Sequence, residues 1–132
     1  MKTMVFDASA LLALFFDEPG AEKVEMLLNK AAEADKPILI AAVNWCEVLY
    51  RMQAKRGTEG LEAAKRFGRT MPLEVALLDR ELAEIAARFK YEYGLGLGDA
   101  FAAALSTVRK AELVTGDLEF RVLEREVTIA WI

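Results

Sequence analysis

Five short apolar runs, spaced by longer stretches of helical periodicity, limit what this chain can fold into more than any other feature. The runs are TMVF (3–6), PILIA (37–41), LEVALL (73–78), AELVT (111–115) and VTIAWI (127–132). They mostly lack the polar alternation of a strand with one wet face, so they read as strands covered on both sides. Between them lie EPGAEKVEMLLNKAAEA with Asp17 as its N-cap, VNWCEVLYRMQAKRG and TEGLEAAKRFGR divided by a break at Gly57, DRELAEIAARFKYEYG, and GDAFAAALSTVRKA from about 99 to 110. Strands that alternate with helices place parallel strands in one sheet with helices on both faces, a three-layer α/β/α arrangement. The 132 residues suit a single domain over 1–132.

Composition removes whole classes of chemistry. With no histidine in the chain, Ser-His-Asp triads, Cys-His pairs and nearly all zinc enzymes are excluded. A single cysteine, Cys46, rules out a disulfide framework and fits a reducing compartment. No run approaches the ~20 apolar residues that span a bilayer, and Asp7 interrupts the first apolar stretch, so neither a leader nor a membrane anchor is expected and a cytoplasmic protein is. The 55% apolar share exceeds the ~45–50% of an average domain, which points to a covered subunit interface. A net charge of −4 argues against nucleic acid unless the acids are gathered at a metal site.

One motif invites a misreading. GLGLGDAFAAAL (94–105) has glycines at alternate positions before a helix, as a phosphate-cradling loop does. Such loops follow a strand. Here a helix precedes Gly94, making that glycine its left-handed C-cap, and Gly96 and Gly98 then let the chain turn into the next helix.

Four carboxylates stand where a parallel sheet concentrates chemistry. Asp7 ends the first strand in MVFDASALL and Asp117 follows the fourth in LVTGDLEF, both on the carboxyl edge where ligand crevices form. Asp99 opens an apolar helix. Glu47 shares a helix face with Val43, Tyr50 and Ala54. Each also has an ordinary explanation: helix capping for Asp7 and Asp99, a turn after Gly116 for Asp117, and an i,i+4 pair with Arg51 for Glu47. Converging on one edge, four such groups repel and hold protons unless cations neutralise them. A hard divalent ion, Mg2+ or Mn2+, takes carboxylate and water oxygens and leaves positions open for phosphate. Phosphodiester hydrolysis by a metal-activated water needs no histidine. Ser9 and Thr115 lie two residues from Asp7 and Asp117 and are placed to orient a carboxylate or the attacking water.

In order, spacing and flanking text, Asp7 in VFDASALLAL, Glu47 in AAVNWCEVLYRM, Asp99 in LGLGDAFAAAL and Asp117 in VTGDLEF resemble the PIN-domain ribonucleases, specifically VapC-type toxins of toxin–antitoxin pairs. DEPGAE after the first helix is similar to that family's text as well. The resemblance covers essentially the whole chain. It implies a central parallel five-stranded sheet and Mg2+- or Mn2+-dependent endoribonuclease activity with Asp7, Glu47, Asp99 and Asp117 as the catalytic, metal-holding quartet. It further implies a homodimer and a cognate antitoxin protein that covers the active site, with DNA engaged only through that antitoxin. Glu119 is a fifth acid found in some members, and a solvated turn charge otherwise.

Basic residues follow Glu47 in two clusters, Arg51, Lys55 and Arg56, then Lys65, Arg66 and Arg69. They suit RNA phosphates around the acidic centre, or ordinary solvated helix faces balanced by Glu59 and Glu62. Two other functions remain open at this level. One is phosphoryl transfer through an aspartyl-phosphate on Asp7, although position 9 is serine where such enzymes usually carry a second acid. The other is a non-catalytic module whose acidic pocket receives a partner's arginine.

Overall fold

The computed structural model describes residues 1–132. In chain order the elements are β1 (Met4–Phe6), α1 (Ala8–Phe15), α2 (Ala21–Ala34), β2 (Ile38–Ala41), α3 (Ala42–Thr70), β3 (Leu73–Ala76), α4 (Arg80–Tyr93), α5 (Leu97–Val108), β4 (Glu112–Thr115), a 3-10 turn (Leu118–Leu123) and β5 (Ile129–Trp131). All five strands run parallel in the order β3-β2-β1-β4-β5. The chain winds outward from β1 through β2 to β3, then returns to β4 on the other side of β1. That reversal lies between β1 and β4, where Phe6 pairs with Val114, so their carboxyl ends frame a crevice.

Alternation along the central strands divides the interior in two. Val5, Leu39, Ala41 and Leu113 point to the face covered by α4 and α5. Phe6, Ile38, Ile40 and Val114 point to the face covered by α1, α2 and α3. Because side chains reverse with each residue, a strand buried on both faces must be apolar at every position. β2 is buried throughout, whereas the outer strand β5 is only half-buried. The third strand stops at Ala76, leaving Leu77 and Leu78 beyond it as exposed residues.

Besides the shorter β3 and β5, two helix starts differ from those expected. Asp17 does not cap α2, whose N-cap is Gly20 with no side-chain bond. Instead Asp17 takes a left-handed conformation (φ 51°) just past the end of α1. The N–H of Glu18 reaches back to Ala13 O at 2.8 Å and that of Asp17 to Leu14 O at 3.4 Å, a Schellman closure of the preceding helix. The last long helix starts at Leu97 rather than 99. Gly94 is the left-handed C-cap of α4, so three residues connect α4 to α5 and Gly98 already lies in the first helical turn.

The break at Gly57 is present as a kink inside α3, with φ 64° and ψ −159°. It folds the second half of the helix against the first. A Cβ at Gly60 would lie 2.7 Å from the Met52 carbonyl oxygen and 2.6 Å from Arg56 Cβ. Gly60→Ala should therefore lower stability by roughly 1–2 kcal/mol, overcrowding outweighing the better helix propensity of alanine. Urea titration would read this as a lower midpoint at unchanged slope.

Candidate metal centre

Asp7 is set by backbone and hydroxyls together. As N-cap of α1 its Oδ1 accepts from Ala10 N at 3.0 Å and from Ser9 Oγ at 2.7 Å. Its Oδ2 accepts from Thr115 Oγ1, at the end of β4, at 2.6 Å. Thr115 in turn accepts from Asp117 N at 2.9 Å, so one buried hydroxyl joins the two strand ends. Asp117 caps the 3-10 turn through Glu119 N at 2.9 Å. Capping and convergence are thus compatible: the caps hold Asp7 and Asp117 in place on the sheet edge.

From the other side α3 and α5 bring in Glu47 and Asp99. Asn44, 1% exposed, donates from Nδ2 to Gly98 O at 3.1 Å and ties the first turn of α5 to α3. A Cβ at Gly98 would sit 3.5 Å from Asn44 Nδ2 and 3.8 Å from Glu47 Oε1, in ordinary van der Waals contact. Oδ1 of Asn44 is buried without a hydrogen-bond partner. Glu47 pairs with Arg51 at 3.7 Å, the i,i+4 pair expected from spacing.

Asp7, Glu47, Asp99 and Asp117 all line one cleft of about 350 Å³. Glu18, from the α1–α2 connection, is a fifth carboxylate on its wall, and Arg51 is its one basic side chain. The tightest grouping is not the expected quartet. Oxygens of Asp99, Asp117 and Glu119 lie within 4.8 Å of one another, with Asp7 and Glu47 farther out. Glu119, the fifth acid that the resemblance offers, stays exposed while the 3-10 turn that Asp117 caps brings it to Asp99 and Asp117. Glu18 was signalled by nothing beyond its place in DEPGAE, and Asn44 by nothing at all.

Electrostatics follow from this crowding. Burial raises the pKa of Asp7 to about 6, against the hydroxyls of Thr115 and Ser9 and the Ala10 N–H, which favour the charged form, while Asp117 adds to the rise. Asp99 is pushed to about 7 by burial first, then by the negative charges of Asp117, Asp7, Glu119 and Glu47. The donor set is all oxygen and mostly anionic, and its burial and mutual repulsion raise the affinity of its acids for protons. Those properties fit a hard divalent ion. Both oxygens of Asp7 are engaged and only 2% of the residue is exposed, which leaves it poorly placed as a phosphate-accepting nucleophile.

A parallel sheet with an acidic crevice at its reversal accords with the family to which the chain belongs: the PIN domain model matches residues 4–126. Among its relatives, Ribonuclease VapC of Mycolicibacterium smegmatis is 28% identical over 130 residues, covering 92% of this chain and 96% of that protein. Ribonuclease VapC30 of Mycobacterium tuberculosis is 26% identical over 125 residues, covering 89% and 92%. The fold is also that of DNA-bound VapBC from Salmonella typhimurium, with a TM-score of 0.76 at 18% identity over 99% of this chain and 98% of that one. It is shared with VapC20 of Mycobacterium tuberculosis, a toxin described as cleaving the Sarcin-Ricin loop, at a TM-score of 0.72 and 16% identity over 91% and 94%. No helix of the chain is long and apolar enough to cross a membrane.

Proposed function

We propose that this chain is a metal-dependent endoribonuclease of the VapC kind, the toxin of a toxin–antitoxin pair acting in the cytoplasm. The observation that carries the reading is the approach of Asp99, Asp117 and Glu119 oxygens to within 4.8 Å of one another beside a buried Asp7, in relatives' company named as ribonucleases. Asp99 and Asp117, with Glu119, would hold Mg2+ or Mn2+ directly, and Asp7 and Glu47 complete the negative field around it. When bound, the ion lowers the pKa of a water and neutralises charge on the scissile phosphate. The protein's own groups do the positioning. Ser9 and Thr115 fix the Asp7 carboxylate, and the Thr115–Asp7 bond joins the end of β1 to that of β4. Arg51 sets a positive charge on the cleft wall for an incoming phosphate. Near neutral pH Asp99, pushed up to about 7, still holds part of its proton, so loading an ion there is coupled to proton release.

Two protein partners belong to the same reading. A cognate antitoxin is supported by the VapBC complexes that share the fold, and DNA is engaged through it. A homodimer is supported by the apolar groove between α4 and α5, where Tyr91 is 90% and Leu97 57% exposed.

Purified protein with Mn2+ and a mixed RNA pool tests the reading. Cleavage abolished by EDTA, with Mn2+ binding seen by calorimetry, is the expected result; intact RNA at high protein concentration together with no metal binding would sink it. Sequencing the new RNA ends then identifies the target. Thr115→Val should weaken Mn2+ binding about 10- to 100-fold at neutral pH, because Asp7 Oδ2 loses a donor to its charged form and its pKa climbs further. The deficit should shrink at higher pH, where deprotonation is no longer the obstacle, and Thr115→Ser should restore binding.

A further inference from the structure

The α3 helix carries a feature that the acidic cleft does not use. Arg51, on the cleft wall, is followed one turn later by Lys55 and then Arg56, all three exposed. Neither Lys55 nor Arg56 has a carboxylate within ion-pairing distance. Both instead lie over the ring of Phe16, Lys55 Nζ at 4.4 Å and the Arg56 guanidinium at 5.2 Å from its centre. The Phe16 backbone is held by its N–H bond to Leu12 O at 2.9 Å and by the Schellman closure that follows at once. Two like charges gathered at one aromatic ring repel each other and keep unused hydrogen-bond donors. An anion between them relieves both conditions.

We infer that Lys55 and Arg56, seated on Phe16, form a phosphate-binding subsite that holds the RNA backbone next to the cleft; the inference rests on the ribonuclease reading above. Arg51 and Lys55 are separated by about 6 Å along the helix axis, comparable to the step between successive phosphates. A strand entering the acidic centre past Arg51 therefore meets the second seat with its next phosphate. The kink at Gly57 turns the chain away immediately after Arg56, so the seat lies at the end of a helical segment, where the backbone dipole also favours cations. An acidic face against RNA thus has a defined positive entry on one side. Contacts of this kind position the backbone and carry no base specificity.

The test is a Lys55→Gln, Arg56→Gln double variant, with Phe16→Leu as a second variant that keeps both charges. Binding of a fluorescein-labelled, mixed-sequence single-stranded 12-mer RNA is followed by anisotropy in EDTA over a KCl series, and kcat/KM for the same RNA with Mn2+ over the same series. Loss of two phosphate contacts should weaken binding about tenfold or more at low salt and flatten the log K against log salt slope by about 1.4. Phe16→Leu should lose a few-fold in affinity at nearly unchanged slope. Mn2+ affinity by calorimetry should match the parent in both. If the parent binds and cleaves RNA and the double variant matches it in affinity, kcat/KM and slope, the subsite is wrong while the ribonuclease reading stands. A double variant that keeps RNA binding but loses an acidic protein partner would equally overturn it, making the seat a protein-docking site. If the parent neither binds RNA nor cleaves it with Mn2+, the ribonuclease reading fails and takes the subsite with it.

Discussion

Asp99→Asn is expected to leave a protein that melts higher than the parent and cleaves no RNA. The stabilisation comes from removing a charge that folding penalises. Asp99 has its pKa raised to about 7 by burial and by Asp117, Asp7, Glu119 and Glu47, so at pH 8 the folded state carries an anion among anions. The amide keeps the shape without the charge. Because Asp99 is half-exposed, water screens part of the repulsion, and the gain should be about 1–2 kcal/mol, or roughly 4–8 °C in Tm. The activity falls because Asp99 belongs to the tightest oxygen group of the site and an amide binds a divalent ion far less well than a carboxylate. Calorimetry with Mn2+, differential scanning calorimetry and an RNA cleavage assay would separate the two effects. A variant that melts lower would indicate that Asp99 is held for the fold; one that still cleaves would remove it from the centre.

The second large effect is that a divalent ion offsets much of the stability lost as pH rises. The folded pKa values of Asp7 and Asp99, about 6 and about 7, lie above the ~3.9 of an unfolded aspartate. The folded protein therefore binds protons more tightly than the unfolded chain between those values. Their contribution is fully present below about pH 4 and is lost as pH rises through 6 and 7. Buried Asp7 alone accounts for about 3 kcal/mol of that loss. Metal-free protein should accordingly melt lower at pH 8 than at pH 5.5. A divalent ion replaces the protons, so at 100 times its Kd it adds about 2.7 kcal/mol, and the gain should grow with pH as the two carboxylates ionise. Thermal melts from pH 5.5 to 8.5, with EDTA and with Mn2+, would show the curves converging at low pH. Parallel curves would mean that no ion competes with these protons.

Much of the fold was legible because the sequence carries two clear periods. Apolar runs without polar alternation mark strands buried on both faces, and β1, β2 and β4 are such strands. The break at Gly57 and the cap at Gly94 were legible because each glycine takes a positive φ that few other residues adopt. Asp17 misled because a carboxylate before EPG reads equally as the start of one helix or the end of another. The backbone chose the second, to satisfy the last carbonyls of α1. The start of α5 differs because Gly98 looks like a turn residue, whereas it lies in the first turn of the helix.

The sequence by itself determined which chemistry was available. Without histidine and with acids at strand ends, an oxygen-only site was the coherent choice, and short-range caps fixed Asp7 and Asp117 where they stand. Distances between elements were decided by the tertiary structure alone. Which three acids come within a metal's reach depends on the parallel register of β1 and β4, on the Asn44–Gly98 tether and on the 3-10 turn that brings Glu119 to Asp99 and Asp117. The pKa values of Asp7 and Asp99 depend on the same packing, since burial and neighbouring charge arise only when distant segments meet. Lys55 and Arg56 were visible as a charge run, but only the fold set Phe16 beneath them.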